Sequence, residues 1–365
     1  MEKYKIIITG GGTGGHVFPA IAIANALKKL NPQNEILFVG AEGKLEMQKV
    51  PEAGYEIIGL PVRGLKRKLT FENIKTLINL ISSISKAKKI IKSFKPDVVV
   101  GVGGYASAPV LHVASKRKIP IVLQEQNSYP GITNKMFAKS ASAICVAYEE
   151  NYKFFPREKT YLTGNPVRED FLNITVGRDE ALQHFGLDKN KKTIFITGGS
   201  LGAATLNKAV ESSLDKLVNE NIQVIWQCGK YYYNSIKERI GSRDDFGVLT
   251  DFVDRMDMAY TAADLVISRS GAITVSELSI LGKAVIFVPS PNVAEDHQTK
   301  NAMALVAKNA ALMVKDNEAQ EKLMDLAINT IKNDELLNSL KTNIKNFAKP
   351  EAAKEIAQIV MKVVE

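Results

Sequence analysis

Three glycine-rich loops and one histidine carry the residue types best placed for chemistry in this 365-residue chain. The run Gly10-Gly11-Gly12-Thr13-Gly14-Gly15-His16 places five glycines in six positions, just before an apolar helical pattern at 20–30. Glycine lets backbone amides come close to a ligand, and a helix N-terminus attracts negative charge. Gly198-Gly199-Ser200-Leu201-Gly202-Ala203-Ala204 repeats that logic, with amides and the Ser200 hydroxyl suited to a diphosphate. The third loop reads Arg269-Ser270-Gly271-Ala272-Ile273-Thr274-Val275-Ser276-Glu277. Thr274 and Ser276 suit the first turn of a helix. Glu277 then falls about one turn in, where its carboxylate either takes two hydrogen bonds from a ribose diol or answers the helix dipole.

Two common nucleotide chemistries do not fit these loops. Gly10, Gly12 and Gly15 satisfy the GxGxxG pattern, yet the second strand ends Phe38-Val39-Gly40-Ala41, without the acid that a dinucleotide ribose requires. No Gly-Lys-Ser/Thr follows, so the first loop is not a P-loop; a purely structural glycine turn remains its other reading. No Asp-x-Asp occurs in the chain. A diphosphate-bound metal is therefore not indicated, and no cofactor is expected; loop amides, a helix dipole and Arg168 would stabilise negative charge instead. Of four histidines, His112 and His184 lie in helix-like stretches and read as structural or surface groups. His297 adjoins the motif ending at Gln298, and His16 alone sits at a glycine loop opening a helix. The positive end of that helix should lower its pKa and keep it able to accept a proton, unless it serves only as a hydrogen-bonder at the helix start.

Short Val- and Ile-rich runs must position these loops. Strands are expected at 5–9, 36–39, 97–102, 119–123 and 143–146, then at 193–197, 223–226, 248–250, 265–268, 284–288 and 311–314. Non-alternating apolar runs separated by helical patterns are the mark of parallel strands buried on both faces. The halves echo each other, IIITGGG at 6–12 against IFITGGS at 194–200. The expected fold is α/β with two Rossmann-like doubly wound domains, their parallel sheets facing a deep cleft. The linker falls at 163–168 (TGNPVR). The assignment is 1–164 for the first domain, 165–347 for the second, and 348–365 for a terminal amphipathic helix opened by Pro350, with Ala353, Ile356, Ile359, Val360 and Val363 on one face.

Net charge is +9, with 45% apolar and 24% charged residues, the balance of a globular protein drawn to anionic partners. Cys145 and Cys228 sit in apolar runs and read as buried thiols of a reducing compartment. The first strand begins too soon for a signal peptide, and no apolar stretch is long enough to span a bilayer, so membrane contact would be peripheral. Arg63, Lys66, Arg67 and Lys68 precede Ile74, Leu77, Ile78, Ile81 and Ile84 at helical spacing, and Lys86, Lys88, Lys89, Lys92 and Lys95 follow. Such a helix either lies on an anionic bilayer or turns its stripe to the core. Nucleic acid is not an expected partner, since no aromatic-rich basic motif or zinc spacing is present.

Six motifs in order now bear on identity: 11–19 (GGTGGHVFP), 103–105 (GGY), 125–127 (EQN), 164–168 (GNPVR), 198–203 (GGSLGA) and 269–277 (RSGAITVSE). Together, from about Lys5 to His297-Gln298, the chain resembles the MurG family, bacterial glycosyltransferases of peptidoglycan synthesis that convert lipid I into lipid II. The resemblance implies the GT-B fold, the acceptor on the first domain and UDP-N-acetylglucosamine mainly on the second. It implies transfer of N-acetylglucosamine, with inversion and without metal, to the undecaprenyl-linked muramyl-pentapeptide sugar of lipid I at the cytoplasmic face of the cell membrane. Donor contacts carried over by motif are Thr13, Gly14, Gly15, Asn127, Arg168, Ser200, Val253, Ala272, Ile273, Thr274, Val275, Ser276, Glu277 on the ribose and Gln298 on the sugar; Gly104 and Tyr105 fall to the acceptor. The family commonly has His where this chain has Gln124, which cannot titrate, so His16 or Glu125 is left as the base. The neighbouring readings are other GT-B enzymes: a diacylglycerol glycosyltransferase or a UDP-N-acetylglucosamine epimerase.

Overall fold

The computed structural model describes residues 2–62, 71–199 and 201–365; the side chains of residues 71–78, 170 and 294 lie outside that description. The chain divides into two compact units, Met1–Glu169 with Lys349–Glu365, and Asp170–Ala348.

In the first unit the elements run β1 (Lys5–Thr9), α1 (Gly14–Leu30), β2 (Glu35–Ala41), α2 (Glu46–Glu52), β3 (Glu56–Leu60), α3 (Phe71–Phe94), β4 (Val98–Gly101), α4 (Ala108–Lys116), β5 (Ile121–Glu125), α5 (Ile132–Phe137), β6 (Ala143–Val146) and β7 (Thr160–Leu162). All seven strands are parallel, in the order β3-β2-β1-β4-β5-β6-β7. Consecutive residues point to opposite faces of a strand, so each apolar run feeds two cores. Ile7, Leu37, Val39, Val99 and Leu123 pack against Ala87, Ile90 and Ile91 of α3 and Val110, Leu111 and Ala114 of α4. Ile6, Ile8, Phe38, Val98 and Val100 turn the other way, onto Ile23 and Leu27 of α1.

The second unit runs α6 (Arg178–His184), β8 (Lys192–Thr197), α7 (Ala204–Glu211), α8 (Leu214–Asn219), β9 (Ile222–Gln227), α9 (Lys230–Ile240), β10 (Gly247–Thr250), α10 (Met256–Ala262), β11 (Leu265–Ser268), α11 (Ala272–Leu281), β12 (Val285–Phe287), α12 (His297–Val306), β13 (Leu312–Met313), α13 (Ala319–Lys332) and α14 (Asp334–Lys345). Its six parallel strands are ordered β10-β9-β8-β11-β12-β13. Ile194, Ile196, Trp226, Leu265 and Ile267 pack with Leu206 and Val210 of α7 and Leu323, Ala327 and Ile328 of α13. The last helix, α15 (Ala352–Val364), belongs to the first unit, where Ile356, Ala357 and Val360 are buried beside α1.

The two parallel Rossmann-like sheets agree with the sequence-based expectation, and Cys145 and Cys228 are buried free thiols. Two strands were not expected, β3 and β7. Both are sheet edges, where half the residues face outward and the apolar run is broken by Glu56, Gly59 and Tyr161. Helix α1 starts at Gly14, earlier than the apolar pattern, because Gly14 and Gly15 already form its first turn. The stripe expected on α3 is divided: Ile84 packs on the core, whereas Ile81 is 62% exposed. Arg63, Lys66, Arg67 and Lys68, and the side chains of Ile74, Leu77 and Ile78, lie outside the described residues.

Candidate active site

In an open parallel sheet, ligands bind beyond the carboxyl ends of the strands where the strand order reverses. In the first unit that point lies between β1 and β4. The loop after β1 carries Gly10–Gly15 and the loop after β4 carries Gly103-Gly104-Tyr105. They meet backbone to backbone: a Cβ at Gly104, whose φ is +78°, would lie 2.6 Å from the Gly11 carbonyl oxygen. A Cβ at Gly11 would lie 2.2 Å from Oε1 of Glu46. The Glu46 carboxylate is buried and accepts the Ala41 N–H at 2.9 Å and the Gly12 N–H at 3.0 Å. Part of the glycine richness is thus internal packing, while Gly15 faces open space apart from the Thr13 hydroxyl.

His16 is the third residue of α1, and its N–H donates to the Thr13 carbonyl at 3.1 Å. Its Nδ1 lies 3.2 Å from the Thr13 hydroxyl. The ring rests on Gly103, where a Cβ would come within 3.3 Å of its Nε2 and Cδ2 and 3.5 Å of Asn134 Nδ2. Tyr105 covers Gly12, and burial followed by the Glu46 charge raises its phenol pKa.

Glu125 ends β5 and is fully buried. Its carboxylate accepts the N–H groups of Asn127 and Gly131, both at 3.0 Å, the Asn134 amide at 2.8 Å, and the Asn127 amide at 3.4 Å. Burial raises its pKa, and the hydrogen bonds only partly oppose this. Glu125 therefore staples the turn at 127–131 to α5. Gln124, also fully buried, donates to Asn165 Oδ1 at 3.1 Å and accepts from Gln126, which donates onward to the Val102 carbonyl at 2.7 Å. Asn165 closes this amide chain by donating to the Gln126 carbonyl at 3.0 Å. The Arg168 guanidinium lies 5.7 Å from the centroid of the Phe18 ring, on the same helix as His16. The structure thus gathers Thr13, Gly14, Gly15, His16, Gly104, Tyr105, Glu125 and Asn127 around one sheet edge.

In the second unit the reversal lies between β8 and β11. Ser200 falls outside the described residues. Around it, the Gly199 N–H donates to Thr197 Oγ1 at 3.1 Å and the Gly202 N–H to the Gly199 carbonyl at 2.9 Å. After β11, Gly271 caps α11 and Ala272 is its first residue. Ala272 and Val275 are buried, while Ile273, Thr274, Ser276 and Glu277 are half-buried. The Ser276 hydroxyl donates to the Ala272 carbonyl at 3.0 Å, so it sits past the first turn expected for it and is engaged within its own helix. Gln298 is the second residue of α12; its Oε1 accepts the Ser290 N–H at 2.8 Å, and its backbone carbonyl accepts the Ser270 hydroxyl at 2.8 Å. That orientation leaves the Gln298 NH₂ as the donating edge. Just ahead of it, Glu295 and Asp296 hold φ of +56° and +50°, a strained backbone typical of functional loops. Val253 is buried beyond β10, and Phe252 before it is 40% exposed.

Three residues that shape these sites escaped the sequence reading. Glu46 and Asn134 lie in no recognisable pattern. Asp316 receives Arg269 on Oδ1 and the Thr205 hydroxyl on Oδ2, tying the third loop to the start of α7; nothing local to Asp316 marks that role.

Residues 6–146 match the glycosyltransferase family 28 N-terminal domain, and residues 193–358 the family 28 C-terminal domain. A Parabacteroides distasonis protein is 52% identical over 366 residues, covering all of both chains. A Flavobacterium psychrophilum protein is 53% identical, covering 100% of this chain and 99% of its own. Both are named UDP-N-acetylglucosamine–N-acetylmuramyl-(pentapeptide) pyrophosphoryl-undecaprenol N-acetylglucosamine transferase. The chain belongs to the MurG family. A crystal structure of Acinetobacter baumannii MurG superposes with a TM-score of 0.77 at 27% identity, covering 98% of this chain and 99% of that one. A Neisseria meningitidis UDP-GlcNAc 2-epimerase shares only the fold, at a TM-score of 0.67 and 17% identity. Membership of the MurG family thus separates this chain from the GT-B neighbours that its architecture alone would allow.

Proposed function

We propose the following division of labour for these residues. This chain is an N-acetylglucosaminyltransferase that converts lipid I into lipid II, using UDP-N-acetylglucosamine. The observation that carries this is identity above 50%, over the whole chain, with transferases of that name. His16 takes the proton from the attacking hydroxyl of the acceptor sugar, in a single displacement that inverts the anomeric centre. Base catalysis through Nε2 requires Nδ1–H to donate to the Thr13 hydroxyl, and the 3.2 Å separation permits it. Glu125 is the weaker candidate, because its carboxylate is occupied by four donors. Gly104 and Tyr105 serve the acceptor. Glu277 binds the ribose and the Gln298 NH₂ the sugar; Ala272, Ile273, Thr274, Val275 and Ser276 place the start of α11 toward the diphosphate, and Val253 lies at the nucleobase end. Thr13–Gly15, Asn127, Arg168 and Ser200 complete the donor set without a metal.

An anionic membrane surface is the further partner, placing the enzyme peripherally at the cytoplasmic face. Between residues 73 and 124 there are nine Lys or Arg and one acid, Asp97, which accepts the Lys5 N–H. Lys88, His112, Lys116 and Arg117 surround a recess of about 290 Å³ formed by α3 and α4. Among the described residues no helix is long and apolar enough to cross a membrane.

The test is to mix the enzyme with UDP-N-acetylglucosamine and a short-chain lipid I analogue. Acceptor-dependent UDP release, with a disaccharide product, is expected. UDP release that ignores the acceptor, or formation of the epimeric sugar, would overturn the reading. Sedimentation with phosphatidylglycerol vesicles, but not phosphatidylcholine vesicles or oligonucleotides, tests the membrane partner.

A further inference from the structure

Beyond the residues assigned above, the carboxyl edge of the second sheet carries a cation that no motif includes. Lys230 opens α9, directly after Gly229. That glycine, at φ +90°, packs on the second glycine loop: a Cβ there would lie 2.4 Å from the Gly202 nitrogen. In return, a Cβ at Gly202 would lie 2.0 Å from the Cys228 carbonyl oxygen. The start of α9 and the loop that follows β8 are therefore one backbone-to-backbone unit, and Lys230 rises from its margin. Its ammonium stands 5.8 Å from the centroid of the exposed Phe252 ring, which precedes Val253.

Two arginines of the following loops are engaged elsewhere. Arg255 is paired bidentately with Asp257. Arg269 is held by Asp316 and the carbonyls of Val288 and Pro289. Lys230, by contrast, makes no ion pair among the described residues, and its ammonium faces the Phe252 ring. A cation resting on an aromatic ring beside a glycine loop keeps its charge available, and a flexible ammonium is a point-charge partner for phosphate.

We propose that Lys230 is a donor-binding residue whose ammonium pairs with the diphosphate of the uridine nucleotide. The inference rests on the donor reading of the second domain. It gives that domain a mobile cation of its own for the dianion, both in the donor and in the departing UDP.

The test compares UDP with uridine by calorimetric titration of the full chain carrying Lys230→Ala, Lys230→Arg or Glu277→Ala. Lys230→Ala should weaken UDP by about 10- to 100-fold, the range for a charge-assisted bond, and leave uridine unchanged. Lys230→Arg should retain most of the UDP affinity, and raising salt should weaken wild type more than Lys230→Ala. Glu277→Ala should weaken UDP and uridine alike, because the ribose is common to both. If Lys230→Ala leaves UDP binding intact, or weakens uridine equally, while Glu277→Ala behaves as stated, the inference about Lys230 fails alone. If neither variant alters UDP binding, the donor reading of this domain fails with it.

Discussion

The Thr13 hydroxyl lies 3.2 Å from Nδ1 of His16, three residues further along the same helix start. This contact can fix which ring nitrogen carries the lone pair. His16→Ala is expected to lower kcat by roughly 100- to 10,000-fold, the span of general-base catalysis. UDP-N-acetylglucosamine affinity should change little, and the acidic limb of the pH–rate profile should vanish. Thr13→Val should lose less and shift that limb without removing it. Retention of more than about a tenth of kcat in His16→Ala would move the base elsewhere.

Glu125→Gln tests the staple. An amide would place a donor against groups that all donate, so melting temperature and kcat should both fall while the acidic limb persists. Burial holds the Glu125 carboxyl above the ordinary carboxylate range. A group with a raised folded pKa stabilises fully below its unfolded pKa and loses that contribution as pH climbs through the folded value. Wild type should therefore lose stability relative to Glu125→Gln over that interval, which thermal melts across pH would record.

Asp316→Asn separates loop order from direct contact. It removes the charge that holds Arg269, whose side chain is only 16% exposed, and weakens the tie to Thr205. A stability loss of about 1–3 kcal/mol is expected from leaving that cation without its carboxylate. UDP affinity should fall as well, although Asp316 is assigned no contact with the nucleotide. Unchanged UDP binding would show that the third loop holds its shape unaided.

Lys283 offers a pH probe remote from the donor loops. Burial, then the Lys341 charge, lowers its pKa to about 8, and its ammonium donates to the Ala263 carbonyl at 3.2 Å. A lysine with a depressed folded pKa destabilises the fold while charged. Stability should rise from about pH 8 toward the ordinary lysine value, where the unfolded chain also loses its proton. Lys283→Met should melt higher than wild type at pH 7, and the gap should narrow as pH increases.

Activity should survive EDTA, since loop amides, the start of α11 and the cations Arg168 and Lys230 are assigned to the diphosphate. Loss of turnover restored by Mg²⁺ or Mn²⁺ would require a metal in that role.

Much of this was legible in the chain itself. The buried strands announced themselves because residues such as Ile6, Ile7 and Ile8 are apolar on both faces, and the loops because glycines cluster at their ends. The edge strands β3 and β7 were not legible, since a strand wet on one side lacks that continuity. Glu46 and Asp316 were hidden for another reason: each acts on a loop distant in sequence, at 34 residues for Gly12 and 47 for Arg269. Local pattern carries no trace of such a pairing. Conversely, Ser276 looked like a helix-start hydroxyl, and only its bond to Ala272 shows it engaged within the helix.

Because α15 completes the core beside α1, the second domain is an insertion within the first. During synthesis, Ile6 and Ile8 reach the solvent long before Ile356 and Val360 have been added. The inserted domain, whose residues are contiguous, can close without α15, whereas the domain that begins the chain must wait with one sheet face partly uncovered. A released chain ending near residue 350 should therefore show a protease-resistant second domain and a susceptible first one. The order in which the two halves become trustworthy is the reverse of the order in which they are made.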